Sequence, residues 1–219
     1  MKLPHVKIEL ALAEIGLTTI GVDEAGRGPL AGPVVAAAAW VDPDILEKEF
    51  DKRSLIRDSK TLSEKQRERI HNHIFHSENF EAGIGEVSHQ MIDRLNILNA
   101  TLLAMRLACE ELIEKMALKK IIQENEEMCV LIDGNKKIPK ISHEQRMFAK
   151  GDLNIFSIAT ASIFAKVYRD SIMKGYHKEY PVYGFDRHKG YGTRYHFQQI
   201  QKNGPCDIHR RSFGSIKSY

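Results

Sequence analysis

Cysteine is scarce in this chain, and its three copies, Cys109, Cys129 and Cys206, are scattered and odd in number. They form no C-x-x-C pair, and no His–Cys cluster has zinc spacing. They suggest no disulfide framework, and a reducing cytoplasm is the expected compartment. Long apolar runs are also missing. The longest, Pro29 to Val41, contains two prolines and a glycine and falls short of the roughly 18 residues that a membrane helix needs. No membrane partner is expected. The amino terminus holds Glu9 and Glu14 inside its only apolar patch, which is not the pattern of a secretory signal. Internal repeats, low-complexity tracts and a clear linker are absent.

What is present fits one domain over residues 1–219: the length is 219 residues, and 42% hydrophobic content suffices for a sizeable core. The net charge of +3 hides an uneven distribution. From residue 187 onward, seven basic side chains (Arg187, Lys189, Arg194, Lys202, Arg210, Arg211 and Lys217) stand against one acid, Asp207. Tyr191, Tyr195, Phe197, Phe213 and Tyr219 are interleaved with them. Cations that meet phosphates beside rings that stack on bases or sugars suit nucleic acid. A solvated basic tail is the competing reading of the same composition. Residues 181–219 are expected to form a basic extension that binds substrate.

Periodicity predicts an amphipathic helix over 3–15 and strands over 18–24 and 33–41, joined by a glycine turn. Ser63 opens a helix that runs to about Phe75, with Gln66 completing a capping box. A strand over 80–87, a strongly periodic helix over 99–116 and a buried-type strand over 129–132 follow. The segment 141–150 fits neither template. A long helical pattern spans 155–180 and stops at Pro181. A glycine- and tyrosine-rich loop covers 183–192, and Thr193 caps a last helix that ends near Gly204. Strands alternating with helices argue α/β, and the tightly joined opening strands add an antiparallel component. The expected fold is a mixed sheet flanked by helices.

The chemistry concentrates in Thr18 to Val41. A β-rich run ends on Asp23 and Glu24, and Gly26, Gly28 and Gly32 follow. Neighbouring side chains on a strand point to opposite faces. The two acids can serve one site only if the strand ends there and the backbone turns. The dinucleotide fingerprint G-x-G-x-x-G fails, because Ala31 stands at its third glycine. Exposed acids at a hairpin bend remain an alternative. Asp133 ends the apolar strand at 129–132, at the carboxyl edge of a sheet, where α/β sites gather; a turn aspartate before Gly134 is the other reading. Asp170 shares one helix stripe with Ser162 and Lys166, spaced i, i+4, i+8, and could equally be a surface acid paired with a lysine. Taken together, four carboxylates suit two Mg²⁺ or Mn²⁺ ions, which prefer oxygen ligands. Two such ions activate water and stabilise the leaving oxygen in phosphoryl displacement.

The stretch G-V-D-E-A-G-R-G-P-L-A-G-P at 21–33 resembles the opening motif of the ribonuclease HII family. Other family-like segments follow in order: D-S-K-x-L-S at 58–63, L-I-D-G-N at 131–135, K-G-D at 150–152 with A-x-A-S-I-x-A-K-V-x-R-D at 159–170, H-K-G-Y-G-T at 188–193, and G-P-C-x-I-H-R-R-S-F at 204–213. The resemblance implies a ribonuclease H-like fold with a helical carboxyl-terminal lobe. It implies a metal-dependent endonuclease, expected to act as a monomer on RNA–DNA hybrids and on ribonucleotides embedded in DNA. Such an enzyme cuts 5′ of the ribonucleotide and leaves a 3′-hydroxyl and a 5′-phosphate.

By this resemblance Asp23, Glu24, Asp133 and Asp170 hold Mn²⁺ or Mg²⁺ and are catalytic, with Asp152 ranked below Asp170 as a fifth candidate. The turn Gly26-Arg27-Gly28 is expected to bond a 2′-hydroxyl, the group that separates RNA from DNA. Ser59 and Lys60 hold phosphates, and Tyr191 stacks beneath the sugar that follows the ribonucleotide. The ribonuclease HIII relatives carry an extra amino-terminal domain, for which the segment before Thr18 leaves no room. Two other readings remain open: a hybrid-binding protein without catalysis, and another two-metal phosphotransfer enzyme such as a junction resolvase.

Overall fold

The computed structural model describes residues 4–42, 62–75, 77, 79–123 and 126–217. Its centre is β1 (Thr18–Ala25), flanked by β2 (Val34–Val41) and β4 (Met128–Asp133). β3 (Phe80–Val87) and β5 (Glu144–Phe148) complete a five-stranded sheet in the order β3-β2-β1-β4-β5. β2 runs antiparallel to both β1 and β3, whereas β4 and β5 run parallel to β1. Within the segment 141–150, Glu144–Phe148 forms β5, an edge strand with no apolar alternation to announce it.

Eight helices are seen among the described residues: α1 (Lys7–Ala13), α2 (Glu64–Phe75), α3 (His89–Leu95), α4 (Ile97–Leu118), α5 (Gly151–Asn154), α6 (Phe156–Glu179), α7 (Phe185–His188) and α8 (Arg194–Asn203). Ser63 and Gln66 form the reciprocal capping box at α2: each backbone N–H donates to the other's side chain, at 2.8 and 3.3 Å. Thr193 Oγ1 accepts from the His196 N–H at 3.2 Å and caps α8. The short helices α3, α5 and α7 are too brief to carry a periodic signal.

The sheet is buried on both sides. One face (Ile20, Val22, Ala36, Ala38, Val130 and Ile132) packs on Ala104, Ala108 and Leu112 of α4. The other packs on α6, where Ala161, Phe164 and Ala165 meet Val35, Ala37 and Ala39. α6 passes very close to β1. A Cβ on Gly21 would lie 2.2 Å from the Ser157 carbonyl carbon, so only glycine admits the helix there. A third cluster (Leu30, Met173, Tyr183, Phe185, Ile200 and Ile208) joins the carboxyl-terminal helices to the loop after β1. No described helix is long and apolar enough to cross a membrane.

Candidate active site

The parallel register of β1 and β4 pairs Val22 with Ile132, so Asp23 and Asp133 come next, side by side. Ile20, Val22, Val130 and Ile132 face α4, and strand alternation therefore sends both aspartates to the α6 face. Asp152 meets them there from α5. These three acids each place a carboxylate oxygen within 4.8 Å of the others, the one such metal-capable group among the described residues.

Local bonds orient the acids. One Asp133 oxygen accepts the Gly151 N–H at 2.7 Å, tying the end of β4 to the start of α5. Asp23 Oδ1 accepts the Glu24 N–H at 2.7 Å, and Ser162 of α6 also bonds the Asp23 side chain. Burial pushes the Asp23 carboxyl well above the usual carboxylate range, and the Glu24 and Asp133 charges push it further. Burial raises Glu24 too; Arg27 opposes this, and the Asp133 charge adds to it. Crowded, desolvated carboxylates favour a bound proton or a cation. An all-oxygen donor set fits a hard divalent ion.

Not every expected residue joins this group. β1 does not end at Glu24; it stays paired through Ala25, opposite Val35. Glu24 is not one of the three clustered acids, yet its side chain still bonds the Asp23 carboxyl. It stays within the electrostatic reach of Asp133 while its side chain pairs with exposed Arg27 at 3.2 Å. Asp170 does not reach the group. It lies eight residues beyond Ser162 on α6, a rise of about 12 Å. There it is buried between Lys166 (2.6 Å) and Arg67 of α2 (3.7 Å). The place in the cluster that the sequence reading assigned to Asp170 is filled by Asp152. Ser59 and Lys60 lie outside the described residues.

Gly26, Arg27 and Gly28 sit at the mouth of the site, with Gly26 at φ +97°. Two buried arginines hold this loop from beneath. Arg169 donates to the carbonyls of Pro33 (2.9 Å), Lys189 (3.0 Å) and Ala31 (3.1 Å). Arg210 donates to Gly26 (2.6 Å), Gly32 (2.9 Å), Pro33 (3.0 Å) and Arg27 (3.1 Å). A Cβ on Gly26 would come 2.0 Å from Arg169 Nε. No described carboxylate lies within ion-pair distance of either guanidinium. Burial lowers their pKa values to about 10 for Arg169 and about 9 for Arg210, where the Arg169 charge adds to it.

Sequence reasoning missed both clamps. Arg169 was legible in principle: Ala161, Ala165, Arg169 and Met173 follow i+4 spacing on the buried face of α6. Arg210 carried no such mark. It was counted among the cations of the basic end, where Lys189 is buried as well. Tyr191 is exposed and overhangs the turn: its Cε1 lies 3.5 Å from where a Gly28 Cβ would be.

A mixed sheet in this order, with acids at the carboxyl ends of its adjacent parallel strands, defines a nuclease of the ribonuclease H-like fold. Solved structures share that fold. The ribonuclease H2 of Pyrococcus horikoshii aligns with TM-score 0.65 at 22% identity, covering 92% of this chain and 96% of that one. The Bst-RNase HIII in complex with Mn²⁺ aligns with TM-score 0.68 at 20% identity, covering 92% of this chain and 68% of that one. The ribonuclease HII family pattern matches residues 20–216. Ribonuclease HII of Fusobacterium nucleatum is 46% identical over 195 residues, 89% of this chain and 84% of that protein. Ribonuclease HII of Caldicellulosiruptor bescii is 46% identical over 211 residues, 95% of this chain and 93% of that protein. The chain belongs to the ribonuclease HII family. It is a ribonuclease H endonuclease, of the class that degrades the RNA of RNA–DNA hybrids.

Proposed function

We propose that this chain is a divalent-metal-dependent endonuclease that incises duplex DNA on the 5′ side of a single embedded ribonucleotide, leaving a 3′-hydroxyl and a 5′-phosphate. The observation that carries the proposal is the placement of Tyr191 over Gly28, in the turn that follows the acids of β1. A ribose at the Gly26–Gly28 turn would present its 2′-hydroxyl to bare backbone. The sugar that follows would meet the Tyr191 ring, which favours a sugar without that hydroxyl.

Asp23, Glu24, Asp133 and Asp152 would hold the metal, either Mg²⁺ or Mn²⁺. When bound, such ions activate water and stabilise the departing oxygen. The chain's own contribution is positional. Gly151 and Ser162 fix the carboxylates of Asp133 and Asp23, and the closely packed α6 closes the inner side of the site. Arg169 and Arg210 hold the reading turn, and the exposed cations Arg187, Arg194 and Lys202 extend toward a phosphate backbone.

The test is a labelled DNA duplex with one internal ribonucleotide, incubated with protein and Mg²⁺. A single cut 5′ of that ribonucleotide, with a product end that a DNA polymerase extends, is the expected result. Protein that ignores this duplex yet degrades long hybrids would overturn the proposal.

A further inference from the structure

We infer that a buried relay of Cys206, His209 and His196 positions Tyr191, and that it does so in one fixed proton order. This rests on the reading of Tyr191 given above. The rings of His196 and His209 are fully buried. His196 Nδ1 lies 2.9 Å from the Tyr191 carbonyl oxygen. That oxygen only accepts, so Nδ1 carries the hydrogen. In a neutral ring Nε2 is then a bare acceptor, and it faces His209 Nε2 at 3.0 Å. His209 must therefore donate from Nε2 and accept at Nδ1, where the Cys206 thiol lies at 3.2 Å. The reverse order would set the Nδ1 lone pair of His196 against the Tyr191 oxygen. The Cys206 carbonyl, which accepts the His209 N–H, also lies 3.2 Å from His209 Nδ1; the order is set by the shorter contact, 2.9 Å, between His196 Nδ1 and the Tyr191 oxygen.

The relay converges on one residue. The Tyr191 carbonyl also accepts from the Thr193 N–H at 2.8 Å, and the Tyr191 N–H donates to the His188 carbonyl at 2.9 Å. The His188 ring stacks on His196 at 4.5 Å, and its Nδ1 accepts the Gly190 N–H at 3.2 Å. Tyr191 is thus held on both sides of its peptide while its ring, 46% exposed, projects over Gly28. Glycines flank it at 190 and 192, and without these bonds the loop would have many conformations to lose on binding. His196 and His209 touch no candidate substrate atom; they are positioning residues.

Two measurements test this. Ring-nitrogen NMR shifts of the wild-type protein at neutral pH should show the Nδ1–H tautomer at His196 and the Nε2–H tautomer at His209. The Nε2–H tautomer at His196 would overturn the relay, and this measurement requires no variant to fold. The second compares cleavage of a single-ribonucleotide duplex with cleavage of an all-RNA hybrid. His209→Leu should lower that ratio by roughly two- to tenfold, the size of one neutral hydrogen bond. His209→Gln, which keeps a donor near Nε2, should restore it. An unchanged ratio in His209→Leu, while Tyr191→Ala lowers it, would overturn the relay and leave the role of Tyr191 standing. A ratio that Tyr191→Ala also leaves unchanged would overturn both.

Discussion

Arg210 donates through Nη2 to the carbonyl of Gly26 at 2.6 Å, across a sequence separation of 184 residues. The contact ties the last motif of the chain to the first turn after β1. The remaining bonds of Arg210, and those of Arg169, extend the same hold to residues 27–33. Backbone pairing reinforces it: Arg210 N–H donates to Leu30 at 2.8 Å, Gly32 N–H to Ile208 at 2.9 Å, and Leu30 N–H to Gly190 at 2.8 Å. The carboxyl-terminal lobe is therefore part of how the reading turn keeps its shape.

Arg210→Lys keeps the charge but replaces a five-donor fork with one ammonium. It should leave several of these carbonyls without a donor and cost about 2–4 kcal/mol of stability, at 1–3 kcal/mol for each unsatisfied buried group after partial relaxation. Urea unfolding would measure it. A loss below about 0.5 kcal/mol would mean that the backbone pairing alone holds the loop.

Asp152 and Asp170 should behave differently when each is changed to asparagine. Asp152→Asn removes a charge from the carboxylate group and should reduce turnover by at least about 100-fold, the scale of losing one electrostatic stabiliser, with little change in folding. Asp170→Asn should retain most activity and instead lose about 1–3 kcal/mol, because Lys166 and Arg67 lose their anion. Kinetics on a hybrid, paired with denaturation curves, would separate the two. The opposite pattern would return Asp170 to the metal set.

Metal should show itself without any catalytic assay. Divalent ions that relieve the repulsion among Asp23, Asp133 and Asp152 should raise the melting temperature. A concentration one hundred times Kd adds about 2.7 kcal/mol if the unfolded chain does not bind. Asp133→Asn should abolish that shift, and excess chelator should abolish cleavage. Full activity in chelator would exclude the metal-dependent reading.

Acid should loosen the carboxyl-terminal lobe. Burial lowers the pKa of His196 and of His209 to about 4, against 6.5 for an ordinary histidine. The surrounding charges are mostly cationic or neutral: His188 beside both rings, and His89 and Arg211 beside His209. Below pH 6.5 the unfolded chain takes up protons that the folded one refuses. Stability should therefore fall as pH drops from about 6.5 to about 4, by up to about 1.4 kcal/mol per pH unit for each histidine. Denaturation at pH 7 and pH 5 would show it. His196→Asn, which keeps a donor to Tyr191 but cannot titrate, should flatten the slope.

Much of this protein is local, and local features are legible in one dimension. The apolar run before Asp133, the capping pair Ser63 and Gln66, and the Thr193 cap depend on neighbours within a few positions, and each stands in the structure where spacing put it. The glycine turn at 26–28 was visible for the same reason, since few other residues tolerate its backbone. Tertiary structure decided the rest. Whether Asp152 or Asp170 meets Asp23 depends on strand register and on how α5 and α6 pack against the sheet, and no local spacing encodes either. The helix α5, which carries Asp152, ends where the helical pattern of 155–180 begins, and four residues are too few to carry a periodic signal of their own. Whether Arg210 faces solvent or the carbonyls of residues 26–33 depends on a contact between the two ends of the chain. A basic residue reads the same in sequence whether it is solvated or buried; only the fold supplies the carbonyls that make its burial tolerable.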